Sequence, residues 1–319
     1  MCRNMENSGV IQPPMERVGE ILREETLRLS PEQILSLVPS TTTLPPYIQA
    51  YIKWITHGIA VSKTEYADGT KGVELNPTLR RQGIGTGDNI ESALANFSRI
   101  LEEIPQHPKR KGYVSLSVAE GLVRGIMGED CIQRVSKGRG NCLDWAAATS
   151  LTWNVEFREN FPNLTAFIVP FGGKIGAKYD HFGVAIIDTE KNVAVAYILY
   201  GGVLIKAEDY ETTQQRLGDQ AKILGDIINI IKQVESGTFT LTEEQKDLMA
   251  ELVEAGTLTE EEKKLIRKAA AGSLTKEDVR RVLMVLGAQR RATKVKRVYL
   301  GKIRKGVDRL VAGLVKEKP

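Results

Sequence analysis

Three cysteines and three histidines are few for 319 residues, and their scarcity rules out several kinds of chemistry. Cys2, Cys131 and Cys142 are odd in number and scattered, so they do not form the disulfide framework of a small secreted domain; a reducing, intracellular setting is expected. No CxxC or HExxH pair is present, so no zinc site and no cofactor are expected. Long apolar runs are also missing. The longest, "VAVAYILYGGVLI" from Val193 to Ile205, is too short and too broken by glycine to cross a bilayer as a helix. The opening "MCRNMENSGVIQPP" lacks the apolar core of a signal peptide, so the reading is a soluble, cytoplasmic protein without a transmembrane segment.

What is present is an ordinary globular composition, 42% apolar and 26% charged, in a chain long enough for two domains. The net charge of +4 is unevenly placed. Between Ala288 and Lys318 eleven Lys or Arg face only Asp308 and Glu317, a surplus larger than that of the whole chain, so the body is net acidic. Binding to nucleic acid or to an anionic membrane is therefore a question about residues 288–318.

Along the chain, helical patterns come first. The first forty residues hold two, the second opened by "SPEQILSLV", in which Ser30 and Gln33 form a capping box and Pro31 suits the first helical position. Tyr47 to Ile59 reads as a helix, and Asp68-Gly69 favours a tight reversal between extended arms. A helix from Asn89 to Ile104 is expected to be capped by Asp88 with Glu91. Another, Val118 to Met127, stands behind Ser117 and Glu120. After the helix that begins near Cys142 the period changes. "LTAFIVPFGG", "DHFGVAIID" and "NVAVAYILYGGVLI" read as three adjacent strands, the last two joined by "DTEKN". Helices followed by an antiparallel sheet is the α+β order.

From Tyr210 to Glu235 a long helix follows, then a local array: "SGTFTLTEEQKDLMAEL", "AGTLTEEEKKLIRKA" and "AGSLTKEDVRRVLMVL", with caps expected from Thr242/Gln245, Thr259/Glu262 and Thr275/Asp278. A basic amphipathic helix from Lys294 to Lys316 closes the chain, with Val295, Val298, Tyr299, Ile303, Val307, Leu310 and Leu314 on one stripe. Three regions are expected: a mostly helical region 1–116 that forms part of the core or covers it, a core 117–208, and a helical array 209–319.

The segment "KGRGNCLDWAAATSLTW", Lys137 to Trp153, carries the chemistry. A thiol attacks as thiolate, and the free N–H groups and positive dipole end at a helix start lower its pKa. Cys142 stands at such a start. Gly138 and Gly140 let backbone approach closely, and the backbone around Asn141 and Cys142 can donate to an oxyanion. The base must come from His57, His107 or His181. Only His181 opens a strand that could pack on the cysteine's helix. Asp144 reads as a first-turn acid and Trp145 as a packing residue.

"GNCLDWAAA" resembles the Gly-X-Cys-X-X-aromatic-Ala signature of the transglutaminase-like core, within the wider papain-like group of thiol enzymes, and "DHFGVAIID" is similar to the strand that carries that family's histidine. The resemblance covers roughly Ser117 to Tyr200. It implies a Cys-bearing helix packed on an antiparallel sheet, Cys142 as nucleophile, His181 as general base and acid, and a covalent thioester formed from a peptide or isopeptide bond, with Gly140 and Asn141 supporting the loop and the oxyanion. The family's third residue is an Asp on the following strand. A regular hairpin through "DTEKN" puts positions near Leu199 opposite His181, where only Tyr197 and Tyr200 are polar, with Asp188 in the turn, Asn192 at its far edge and Asp209 beyond the sheet. Asp188 in a tighter register, a tyrosine hydroxyl, or nothing orients the ring.

Two rival functions stay open on the sequence: an inactive binding protein on the same fold, with 237–287 as a surface for a protein partner, and a nucleic-acid-associated protein working through 288–318. The glycines of "RRQGIGTGDN" match neither the dinucleotide fingerprint nor the lysine-bearing P-loop and read as an ordinary loop.

Overall fold

A computed structural model describes residues 26–65, 71–80, 84–103, 114–115, 128–172, 181–233, 239–254 and 258–316. The chain divides into two compact units, Met1–Glu208 with Lys302–Pro319, and Asp209–Gly301. It mixes helices with largely antiparallel sheet, an α+β arrangement. Cys2, the first helical pattern, the Asp68-Gly69 reversal, His107 and the Val118–Met127 helix with its Ser117/Glu120 cap lie outside the described residues.

The elements of the first unit are β1 (Thr26–Arg28), α1 (Pro31–Leu37), α2 (Pro46–Ile55), β2 (Ala60–Glu65), β3 (Lys71–Asn76), α3 (Ile90–Glu103), β4 (Val114–Ser115), α4 (Cys131–Ser136), β5 (Arg139–Gly140) and α5 (Cys142–Thr152). A π-helical turn (Trp153–Phe157) and strands β6 (Leu164–Phe171), β7 (His181–Asp188), β8 (Val193–Leu199) and β9 (Val203–Lys206) follow. The capping box of α1 forms as its sequence predicts, Ser30 accepting from the Gln33 amide and the Gln33 side chain accepting from that of Ser30. At α3 the cap is one residue later than expected: Asn89 Oδ1 accepts from the Ser92 amide at 2.9 Å, and Ser92 Oγ accepts from the amides of Asp88 and Asn89. Gly87, at φ 84°, leads into that turn, and a Cβ there would overlap Ser92.

β1, β2 and β3 form an antiparallel sheet, β4 and β5 a short parallel pair, and β6 to β9 a second antiparallel sheet in sequence order. The expected third strand is two. Gly201 and Gly202 take φ of 98° and 81°, conformations that glycine adopts without strain, and reverse the chain so that β8 pairs with β9. A bulge between Ile186 and Ile187 shifts the β7–β8 register by one residue.

All ten residues from Leu143 to Thr152 are buried, which explains why α5 has no polar face: α1, α2 and α4 pack on it, as do β6 and β7. Its C-terminal end is tied to β6. Asn154 donates to the carbonyls of Leu37 and Ala166 and accepts from the Ala166 amide, while Ser150 Oγ and the Trp153 indole donate to the carbonyls of Ala166 and Leu164. Beside them Phe97, Trp153 and Phe157 pack with ring centroids 5.1 Å apart.

The second unit contains α6 (Tyr210–Gln233), α7 (Glu243–Glu254), α8 (Glu260–Ala270) and the turns before Lys302 of α9 (Lys276–Lys316), packed around residues such as Ile227, Ile231, Met249, Ile266, Val282 and Leu286. All three predicted caps form: Thr242/Gln245, Thr259/Glu262 and Thr275/Asp278. The last helix of the array and the basic terminal helix are not separate, however. Gly287 lacks a following proline or a left-handed turn, and the helix continues through it for 41 residues, its turns from Lys302 onward belonging to the first unit. The predicted stripe is divided likewise: Val295 and Val298 are exposed, whereas Ile303, Val307 and Leu310 are buried. Part of the basic surplus is structural, since Arg290 and Arg297, seven residues apart, lie over Gly225 and Gly218, also seven apart, on α6. No described helix is long and apolar enough to cross a membrane.

Glu156, on the π-helical turn, accepts from the Leu75 amide (3.0 Å) and Thr78 Oγ1 (2.6 Å), and Arg80 Nε lies 3.3 Å from its second oxygen. Burial pushes its carboxyl up from 4.5 to about 7 in spite of Arg80. The folded chain therefore keeps a proton that the unfolded chain has released. Its contribution to stability is full at and below about pH 4.5 and is lost as pH rises to about 7, by about 3 kcal/mol. Urea midpoints measured across that window should fall for the wild type and change less for Glu156→Gln; equal slopes would show that Glu156 does not carry the dependence.

Candidate active site

The junction that presents Cys142 is built from the loop upward. Asp130 caps α4 by accepting from the Gln133 amide at 2.8 Å, and Gly138 (φ 69°) and Gly140 (φ 119°) then turn the chain through β5 into α5. A Cβ on Gly140 would lie 3.1 Å from both Cβ and Oδ2 of Asp144, so this close approach needs glycine. Asn141 caps α5: its Oδ1 accepts from the amides of Leu143 (2.9 Å) and Asp144 (3.0 Å), while the Asp144 carboxylate accepts from the Asn141 amide (2.8 Å). Cys142 occupies the first helical position.

Asp144 is fully buried and is more than a first-turn acid. Besides the Asn141 amide it receives Arg134 Nη1 at 2.8 Å and the Tyr51 hydroxyl at 3.1 and 3.2 Å from its two oxygens, and Asn141 Nδ2 donates to that hydroxyl at 2.8 Å. Burial raises the Asp144 pKa against the opposing pull of Arg134, and burial, reinforced by the Asp144 charge, raises that of Tyr51, which therefore stays protonated. Arg134 is itself fully buried, with Glu129 4.0 Å from its Nε. Arg134 and Tyr51 escaped the sequence reading. The only local signal is an arginine among the apolar Cys131, Ile132 and Val135 of α4 and a tyrosine in the apolar register of Ile48, Ile52 and Ile55 on α2.

The two described cysteines differ sharply. Cys131 is wholly buried, and burial, with Asp130 and Asp144 adding to it, pushes its thiol well up. Cys142 is half-buried at the edge of the core. Only the second stands where a thiol can meet a substrate.

His181 opens β7, paired across the sheet with Phe171 and stacked on its ring at 6.0 Å between centroids and 28° between planes. Two sets of contacts fix how α5 lies on this sheet. Near its start, Trp145 meets Tyr200 edge-on at 5.8 Å, and Tyr200 follows β8 at the end where β7 begins. Near its finish, Ser150 and Asn154 bond Ala166, which pairs with Ile186 close to the far end of β7. The helix therefore runs along β7 from the His181 end to the Asp188 end, so the start of α5, with Gly140, Asn141 and Cys142, stands at the same end of the sheet as His181. They do not share a face there: Phe182, Val184 and Tyr200 belong to the side that α5 covers, whereas His181 alternates to the side of Gly183 and Phe171, on which Ile303 of α9 packs.

Asp188 does not. Seven residues of strand, about 23 Å, separate it from His181. Its carboxylate accepts from the amides of Glu190 (3.1 Å) and Lys191 (2.9 Å) and pairs with Lys191 Nζ at 3.3 Å, closing the β7–β8 turn. The tighter register that would bring it to the ring does not occur, and the bulge moves the register the other way, so that the ladder ends at Val184–Ile198. Tyr197 lies opposite Ala185, away from His181. Among the described residues no three His, Cys, Asp or Glu side chains gather as a metal site. No protein-family model, curated protein or solved structure matches this chain.

Removing the Arg134 charge strands Asp144. Arg134→Met should cost about 3–5 kcal/mol, and adding Asp144→Asn should recover part of that loss, giving a coupling energy above about 1 kcal/mol in a denaturation cycle. Strict additivity would mean that the two side chains do not act as a pair.

Proposed function

We propose that the chain is a thiol-dependent acyl-transfer enzyme with a transglutaminase-like or papain-like core, a peptidase or amidase acting on a peptide or isopeptide bond. The observation that carries this reading is the half-buried Cys142 at the first position of α5, at the end of the helix–sheet layer where β7 starts with His181. The Cys142 thiolate attacks the carbonyl carbon, and the oxyanion is met by the Cys142 backbone N–H at the positive end of α5, the amides of Asn141, Leu143 and Asp144 being held in the caps. The His181 imidazolium passes its proton to the leaving amine as the C–N bond breaks, which leaves a thioester. Water, losing a proton to His181, then attacks, and the C–S bond breaks to release the acid and restore the thiolate. Gly140 and Asn141 hold the loop that presents the thiol.

A second reading, an inactive protein that keeps the fold as a binding module, is favoured by one observation: Asp188 closes the far turn and does not orient His181.

Peptide-resolved iodoacetamide alkylation of Cys142 from pH 4 to 10, in the wild type and His181→Ala, separates the two. A thiolate formed well below the free-cysteine value of about 8.5 and lost with the histidine is the expected result. An ordinary thiol, indifferent to His181, would overturn the enzyme reading. In the active case Cys142→Ala should abolish all amide turnover.

A further inference from the structure

We infer that Lys302 is a positioning residue for His181, acting through Phe171; this inference rests on the Cys142–His181 reading above. A histidine ring turns easily about its second side-chain torsion, so a nucleophile–base pair needs something to fix its plane. The sequence offers no carboxylate opposite His181. The structure offers an aromatic face, since Phe171 is buried, is the cross-strand partner of His181, and stacks on the imidazole.

Phe171 is in turn held from the C-terminal helix. Lys302 Nζ lies 5.7 Å from the Phe171 ring centroid, as a cation over a π face does, and donates to the carbonyl of Gly172, the residue that follows β6. One ammonium thus fixes both the ring and the backbone just beyond it. The helix that carries Lys302 is pressed closely on the same two strands. Ile303, the next residue, fills the space over Gly183, where a Cβ would lie 2.8 Å from Ile303 Cγ1, and Gly306 sits against Val169 so tightly that a Cβ would overlap it. Gly183 is two residues after His181, and Val169 is two before Phe171. The last turns of α9 therefore set the seating of the strand ends that bring His181 and Phe171 together, and Lys302 is the contact that reaches the ring pair itself.

The test is the pH-resolved alkylation of Cys142 in the full chain, for wild type, His181→Ala, Lys302→Met and Lys302→Arg, with Cys131 alkylation read in the same digest as a check that the core stays closed. Lys302→Met keeps the side chain's length but loses its charge and donors. It should lower the His181-dependent rate near neutral pH by roughly tenfold to 100-fold, leave the rate above pH ~9 (where the thiol ionises unaided) near wild type, and be largely rescued in Lys302→Arg. If His181→Ala flattens the profile but Lys302→Met reproduces the wild type, the pair stands and the positioning role of Lys302 falls. If His181→Ala itself changes nothing, the Cys–His reading fails and this inference falls with it. Should Lys302→Met expose Cys131, Phe171→Leu decides: the same selective loss near neutral pH supports the ring contact, and a wild-type profile overturns it.

Discussion

The candidate site depends on a buried ion pair. Arg134 and Asp144, both without solvent exposure, meet at 2.8 Å, and the remaining capacity of the carboxylate is taken by the Tyr51 hydroxyl and the Asn141 amide. Neither charge could be buried alone, because desolvation of an unpaired ion costs several kcal/mol. Their pairing therefore fixes where α4 lies against α5, and the link through Asn141 transfers that constraint to the loop before Cys142. Tyr51 brings α2 into the same arrangement. The position of the thiol follows from three helices agreeing on one carboxylate.

The second constraint acts at the other end of α5. A helix buried on every side and largely apolar could rotate or slide on a sheet with little penalty, since apolar contact has no direction. Asn154 removes that freedom: its amide both donates to and accepts from Ala166 while also reaching the Leu37 carbonyl, a set of distances that only one rotation and one register satisfy. Hydrogen bonds inside a core add little net stability when made and cost more when left unmade, which gives them their power to select one arrangement. With α5 fixed at both ends, its first turn stays at the His181 end of β7.

What the sequence made legible was local. Capping boxes at Ser30, Thr242, Thr259 and Thr275 satisfy orphan amides within one turn, so the residues that form them are also the residues that reveal them. The cysteine-bearing helix and the strand opened by His181 were legible for the same reason. What was not legible depended on distant partners. The bulge in β8 cannot be read from "NVAVAYILY", because it compares that strand with β7. Arg134 resembles any surface arginine until Asp144 is placed beside it. Two arginines counted as part of a basic surface lie instead over glycines of α6, a pairing between residues about 70 positions apart.

That distinction bears on the missing third residue. A search for an orienting group by charge and spacing looks for a carboxylate towards the next strand, and Asp188 is the first one downstream of His181. In space it serves the turn at the opposite end of β7, because the length of a strand separates its two ends however close they are in sequence. The ring that stacks on His181 comes from β6, the neighbouring strand, and is itself reached from α9, more than a hundred residues later. An imidazole held by stacking is constrained in its plane but receives no negative charge from its support, whereas one held by a carboxylate gains both orientation and a stabilised imidazolium.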